Sequence, residues 1–233
     1  MLTSIFHTAL SIKAIIGAFV LFMSLIAPSF GLQIERVENI ASNSGTILRA
    51  IGPIVTGDAI KLQRMLEENP PSVPILMITS PGGAVDEAMR IGQIIQQAGL
   101  IVSAHGECAS ACAQIIFPSG NYSILTAGSV LGFHSCSTSD GTRSDLCNEV
   151  MAKYVTNLGY AYGTMMVLTD LAEPDEVYWV TEIGARCWGW YRGADQNHYS
   201  RQMCVDSTLL VPFNEPTLIP ALTVRRQALA LNV

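Results

Sequence analysis

The sequence predicts an α/β fold of repeated βαβ units on a mainly parallel sheet, and three observations carry that prediction. Pro74-Ile75-Leu76-Met77-Ile78 and Leu100-Ile101-Val102 are unbroken apolar runs of strand length, as expected of strands buried on both faces. Between them, residues 84–98 place Val85, Ala88, Met89, Ile91, Gly92 and Ile95 at helical intervals. Each strand run leads into a turn of small residues, Ser80-Pro81-Gly82-Gly83 and then Gly106-Glu107-Cys108-Ala109-Ser110-Ala111-Cys112-Ala113. Strand, helix and strand in this order connect right-handedly, which puts functional groups at the carboxyl ends of the strands.

The remaining elements follow in order. After Leu32 comes a polar lead-in, and residues 45–55 read as strand material broken at Gly52-Pro53. Asp58 is placed to cap a helix over residues 59–68, where Ala59, Leu62, Met65 and Leu66 recur on one face, and Asn69-Pro70-Pro71 ends it. Gly99 ends the helix over residues 84–98, a strand spans residues 100–104, and residues 111–117 are expected as the next helix. Residues 122–133 return as extended structure, broken at Ala127-Gly128-Ser129 and ending in His134. Residues 145–171 are expected to be helical, Val177-Tyr178-Trp179-Val180 a short strand or turn, and residues 182–187 a last helical turn.

A chain of 233 residues suits one domain with a substantial core. At 49% hydrophobic and 14% charged it is apolar, and part of that excess sits at the start. Residues 1–31 carry one charged side chain, Lys13, ahead of an apolar run, and Ser29-Phe30-Gly31 supplies small residues for a cleavage site. This is the layout of a secretory signal peptide. The rival is an uncleaved anchor, for which the run over residues 14–27 is short against the roughly 20 residues of a span. The expected organisation is thus residues 1–31 as signal peptide or anchor, 32–208 as the α/β domain and 209–233 as an irregular tail. Membrane contact is expected only if the first segment stays attached. The net charge of −6, one unit more negative without Lys13, argues against nucleic acid as a partner.

All six cysteines lie after the first segment, and an even count behind an export signal favours disulfides. Cys136 and Cys147 bracket a polar loop that they can close, and Cys187 and Cys204 bracket another. Cys108 and Cys112 are open between buried thiols, a mutual bridge and other partners. Zinc is disfavoured, since no C-x-x-C pair exists and histidines are few. No metal or cofactor is expected.

A serine among small residues at a strand end presents a hydroxyl, which becomes a nucleophile once a base takes its proton and donors await the oxyanion. Residues 46–134 resemble the Clp-type (ClpP-like) serine peptidases of the ClpP/crotonase superfamily. The matching pieces are Ile78-Thr79-Ser80-Pro81-Gly82-Gly83, Cys108-Ala109-Ser110-Ala111 and Leu131-Gly132-Phe133-His134. The chain looks most similar to exported bacterial members with a Cys-Ala-Ser-Ala-Cys turn. The resemblance implies Ser110 as nucleophile, His134 as general base, and the backbone N–H groups of Gly83 and Ala111 as oxyanion hole. It implies substrate contacts at Pro81 and Gly82. It also places an acidic residue shortly before Tyr178-Trp179-Val180, where Asp175 is the choice over Glu176. A backbone carbonyl is the alternative support for His134.

The expected activity is an ATP-independent serine peptidase acting on short or unfolded polypeptides in the periplasm or cell envelope, as a homo-oligomer. One alternative is a serine–lysine peptidase resembling signal peptide peptidase A, using Lys153. Another is a catalytically silent envelope protein that binds peptides on the same fold. Coenzyme A chemistry is disfavoured by export.

Overall fold

The computed structural model describes residues 31–38 and 45–193. The expected signal segment, the tail and the Cys187–Cys204 pairing lie outside the described residues. A seven-stranded sheet organises the rest. Its strands are β1 (Gln33–Glu38), β2 (Thr46–Ile51), β3 (Ile75–Ser80), β4 (Ile101–Ala109), β5 (Ser123–Leu125), β6 (Val130–Phe133) and β7 (Tyr178–Val180). The spatial order is β1-β2-β3-β4-β6-β7, with β5 beside the first half of β4. The four pairings between β2 and β6 are parallel, and the outer pairs β1–β2 and β6–β7 are antiparallel.

The helices are α1 (Asp58–Glu68), α2 (Val85–Gln97), α3 (Asp145–Asn157), α4 (Tyr162–Asp170) and α5 (Glu182–Cys187). The βαβ units and the small-residue turns at strand ends are as the sequence predicts. Leu48, Leu76, Ile78, Val102 and Ala104 from the parallel strands meet Leu62, Ile91 and Ile95 from α1 and α2, and all are essentially inaccessible. The described residues contain no helix long and apolar enough to cross a membrane.

Four local expectations change. The polar lead-in is an edge strand, β1, whose exposed and half-buried residues carry no apolar run to announce it. Asp58 is the first residue of α1 rather than its cap. Its buried carboxylate instead accepts from the N–H groups of Leu32 (3.0 Å) and Val55 (2.8 Å) and pairs with Lys61. Glu87 of α2 takes the capping role, accepting from the N–H groups of Gly57 (2.9 Å) and Ala59 (2.8 Å). The helix expected over residues 145–171 splits into α3 and α4 at Gly159, which has φ 88°.

The fourth change concerns residues 111–117, which form a π-helical turn, Cys112–Ile116, followed by a short 3₁₀ turn, Phe117–Ser119. The Phe117 N–H reaches back five residues to the Cys112 carbonyl. The next bond of that pattern would run from residue 118 to the Ala113 carbonyl, but Pro118 has no N–H. The indole of Trp190 fills the gap, donating from Nε1 to the Ala113 carbonyl at 2.9 Å. Trp190 is fully buried against Phe133 and Tyr160. Trp190→Phe keeps most of that packing and orphans the carbonyl. It is expected to lower unfolding free energy by about 1–3 kcal/mol in denaturant titration.

Both readable cysteine pairs are closed. Cys136–Cys147 ties off the polar loop as expected, and Cys108 and Cys112 bridge each other, which settles the open alternatives. Closing a loop of this size constrains the unfolded chain. Substituting Cys136 and Cys147 by serine is expected to cost about 3 kcal/mol of stability in the same titration.

Candidate active site

Ser110 follows the last residue of β4 and has φ 55°, the only positive φ at a non-glycine residue among those described. A serine held there stores about 1–3 kcal/mol of strain and needs surroundings that hold it. Its N–H donates to the Gly132 carbonyl of β6 (2.9 Å), and its carbonyl accepts from the Gln114 N–H (2.8 Å). The Cys108–Cys112 bridge spans the turn with a Cα–Cα distance of 5.3 Å, both residues fully buried. The chain thus reverses from strand to π-helical turn in one residue and leaves the serine half-buried at the carboxyl end of a central strand.

Gly82 and Gly83 follow β3 with φ 92° and 144°. A Cβ at Gly82 would lie 2.5 Å from the Ser110 Cβ, and one at Gly83 would lie 2.1 Å from the Ile54 carbonyl oxygen. Only glycine lets the backbone pass between these two walls. The Ile54 N–H donates to the Gly82 carbonyl (2.8 Å), and the Ala84 N–H donates to the Ile54 carbonyl (3.0 Å). Gly83 itself is skipped by this exchange. Among the described residues, none of the backbone hydrogen bonds of the turns uses the N–H of Gly83 or of Ala111. Pro81 is exposed beside them.

His134 comes directly after β6. Its Nδ1 lies 2.7 Å from the Ser135 carbonyl oxygen. A carbonyl only accepts, so Nδ1 carries a proton, and in the neutral imidazole Nε2 is the nitrogen left to accept one. Ser135 is fully buried, its N–H donating to the Ala172 carbonyl (2.9 Å) and its hydroxyl to the Thr169 carbonyl (2.7 Å). The next residue is fixed as well: the Cys136 N–H donates to Asn148 Oδ1 at 2.7 Å.

Asp175 is not joined to His134 in this structure. It is exposed in the loop before β7, and no hydrogen bond joins it or Glu176 to the imidazole. β6 and β7 pair as far as Phe133↔Tyr178. Beyond that pair, residue 135 hydrogen-bonds to the carbonyls of Thr169 and Ala172. Arg143 meanwhile gathers the carboxylates of Asp145, Asp170 and Glu173.

Gly83, Ser110 and His134 line one cleft of about 80 Å³, together with Val85, Gln114 and Met151. Ser110 and His134 are not directly hydrogen-bonded in this structure. The cleft adjoins a larger groove of about 510 Å³ that shares Gly83, Val85, Cys136 and Ser137 with it and runs on over Met89, Leu146 and Val150. Among the described residues, no lysine lines the cleft. Lys153 points out from α3, 64% exposed, and pairs with Glu149, while Lys61 pairs with Asp58. Sequence reasoning missed Ser135 and Gln114. Nothing marks a backbone acceptor in a sequence, but Gln114 had a signal: it is the one polar residue between Ala111 and Phe117.

No protein-family model matches the chain, and no curated protein does. Solved structures do. A ClpP1 variant from Listeria monocytogenes aligns with TM-score 0.50 and 18% identity, over 67% of this chain and 94% of that one. A membrane-bound stomatin-specific protease aligns with TM-score 0.49 and 18% identity, over 64% of this chain and 78% of that one. The ClpP catalytic domain from Plasmodium falciparum gives 0.46 and 16%, over 66% and 86%. At these identities the likeness is one of fold.

Proposed function

On the ClpP-like serine-peptidase fold that this chain has, we propose that it hydrolyses peptide bonds in short or unfolded polypeptides, without ATP, through a serine–histidine pair. Ser110 attacks the scissile carbonyl while His134 Nε2 takes its proton. The tetrahedral oxyanion rests on the N–H groups of Gly83 and Ala111, each such donor being worth about 3–4 kcal/mol. Collapse of that intermediate expels the amine, protonated by His134, and leaves an ester on Ser110. Water, activated by the same imidazole, hydrolyses it. The Ser135 carbonyl does the orienting first assigned to Asp175. Extended substrate lies along Pro81-Gly82-Gly83.

The observation that carries this reading is one cleft holding a serine on a strained turn and a histidine whose Nδ1 is already committed. The disulfides suit an oxidising compartment, and export by residues 1–31 belongs to the same proposal. So does self-association, for which the exposed apolar Ile60, Tyr162 and Ile183 are suited. A second reading, a silent peptide-binding protein, draws on the missing carboxylate and the missing Ser110–His134 bond.

Fluorophosphonate labelling decides between them. The folded, oxidised protein is expected to label at Ser110, Ser110→Ala to remain unlabelled, and His134→Ala to label far more slowly. Folded protein that takes no label would overturn the peptidase in favour of the binding module.

A further inference from the structure

Gln114 is 1% exposed, yet it lines the cleft. Its backbone N–H donates to the Ser110 carbonyl at 2.8 Å. Its side-chain Nε2 donates to the His134 carbonyl, also at 2.8 Å. One residue therefore grips the main chain of both reacting residues, which come from different strands and share no hydrogen bond of their own. The nucleophile sits on a strained turn, and the base sits where the chain leaves the sheet, so neither element alone fixes their separation.

The far side of Gln114 is equally constrained. It lies inside the π-helical turn, whose Ala113 carbonyl is held by Trp190 and whose start is held by the Cys108–Cys112 bridge. π-Helical turns recur at functional sites because the extra residue re-aims the side chains around it. Here the side chain re-aimed toward the cleft is an amide long enough to reach across to the base.

We propose that Gln114 is a positioning residue that sets the distance and angle between Ser110 and His134. The inference rests on the peptidase reading and extends it to the origin of the pair's alignment. Misplacing reacting groups by about an ångström typically costs around a hundredfold in rate. A residue that merely satisfied the part-buried His134 carbonyl would affect folding and leave the reaction alone.

The test is the kinetics of fluorophosphonate labelling, with the first-order inactivation constant separated from probe affinity. Gln114→Leu removes the donor at similar volume. Gln114→Glu keeps the shape and replaces the donor by an acceptor. Ser119→Ala serves as control, since it removes a buried hydrogen bond to the Ile115 carbonyl in the same segment, away from the cleft. Both Gln114 variants are expected to lower the inactivation constant about 10- to 100-fold with probe affinity unchanged, and the control to leave both unchanged. Unchanged constants in a folded Gln114 variant would overturn the positioning role while the peptidase stands. So would a loss that only tracks the fraction of unfolded protein in both variants. Absence of labelling in the folded parent protein would overturn the peptidase reading and this inference with it.

Discussion

Ser110→Ala is expected to lower cleavage of an unstructured peptide by at least about a thousandfold, measured by chromatography of the products. The oxyanion donors and the groove survive the change, which is why some activity over water can persist. The fold is expected to survive too. Alanine carries the same Cβ as serine and suffers the same strain at φ 55°. The hydrogen bonds that hold the turn use the main chain of residue 110, so its thermal midpoint should not move. Cleavage within tenfold of the parent would remove Ser110 from the chemistry.

Gly82→Ala is expected to damage both stability and rate. The added methyl would stand 2.5 Å from the Ser110 Cβ, 2.7 Å from the Ala109 carbonyl and 2.9 Å from the Ala111 nitrogen. All three belong to the nucleophile turn, which is pinned by a disulfide and cannot retreat. The φ of 92° is itself costly for alanine. We expect a stability loss of about 2–4 kcal/mol in denaturant titration. The folded fraction should also lose about a hundredfold or more in labelling rate, because an oxyanion donor and the nucleophile are displaced together. A folded Gly82→Ala protein with parental kinetics would show that the two turns are not in contact.

The parts of the fold legible in the sequence were those written in local pattern. Unbroken apolar runs marked β3 and the start of β4, helical spacing marked α1 and α2, and small-residue turns at strand ends marked where Ser110, Gly82 and Gly83 would meet. What was not legible depends on partners distant in the chain. The π-helical turn arises where Pro118 withholds a donor and Trp190, far along the sequence, replaces it. β1 has no pattern of its own and exists through its ladder to β2. Asp175 was chosen by its distance from Tyr178, whereas the hydrogen bond that the structure gives the imidazole goes to the main chain of residue 135. A main-chain acceptor leaves no mark in the residue letters.

That acceptor also changes how the site responds to mutation. A carboxylate that orients a histidine can be deleted by one substitution and has an ionisation of its own. The Ser135 carbonyl has neither weakness: every amino acid brings the same oxygen, and it does not titrate. Substitution at position 135 therefore keeps the oxygen itself but removes the buried hydroxyl that ties it to the Thr169 carbonyl. Vulnerability moves to the side chains that hold that stretch of chain in its course: the Ser135 hydroxyl, the Asn148 amide and the Cys136–Cys147 bridge. None of those three is a group that a search for an acidic catalytic partner would single out, and together they hold the acceptor in its place.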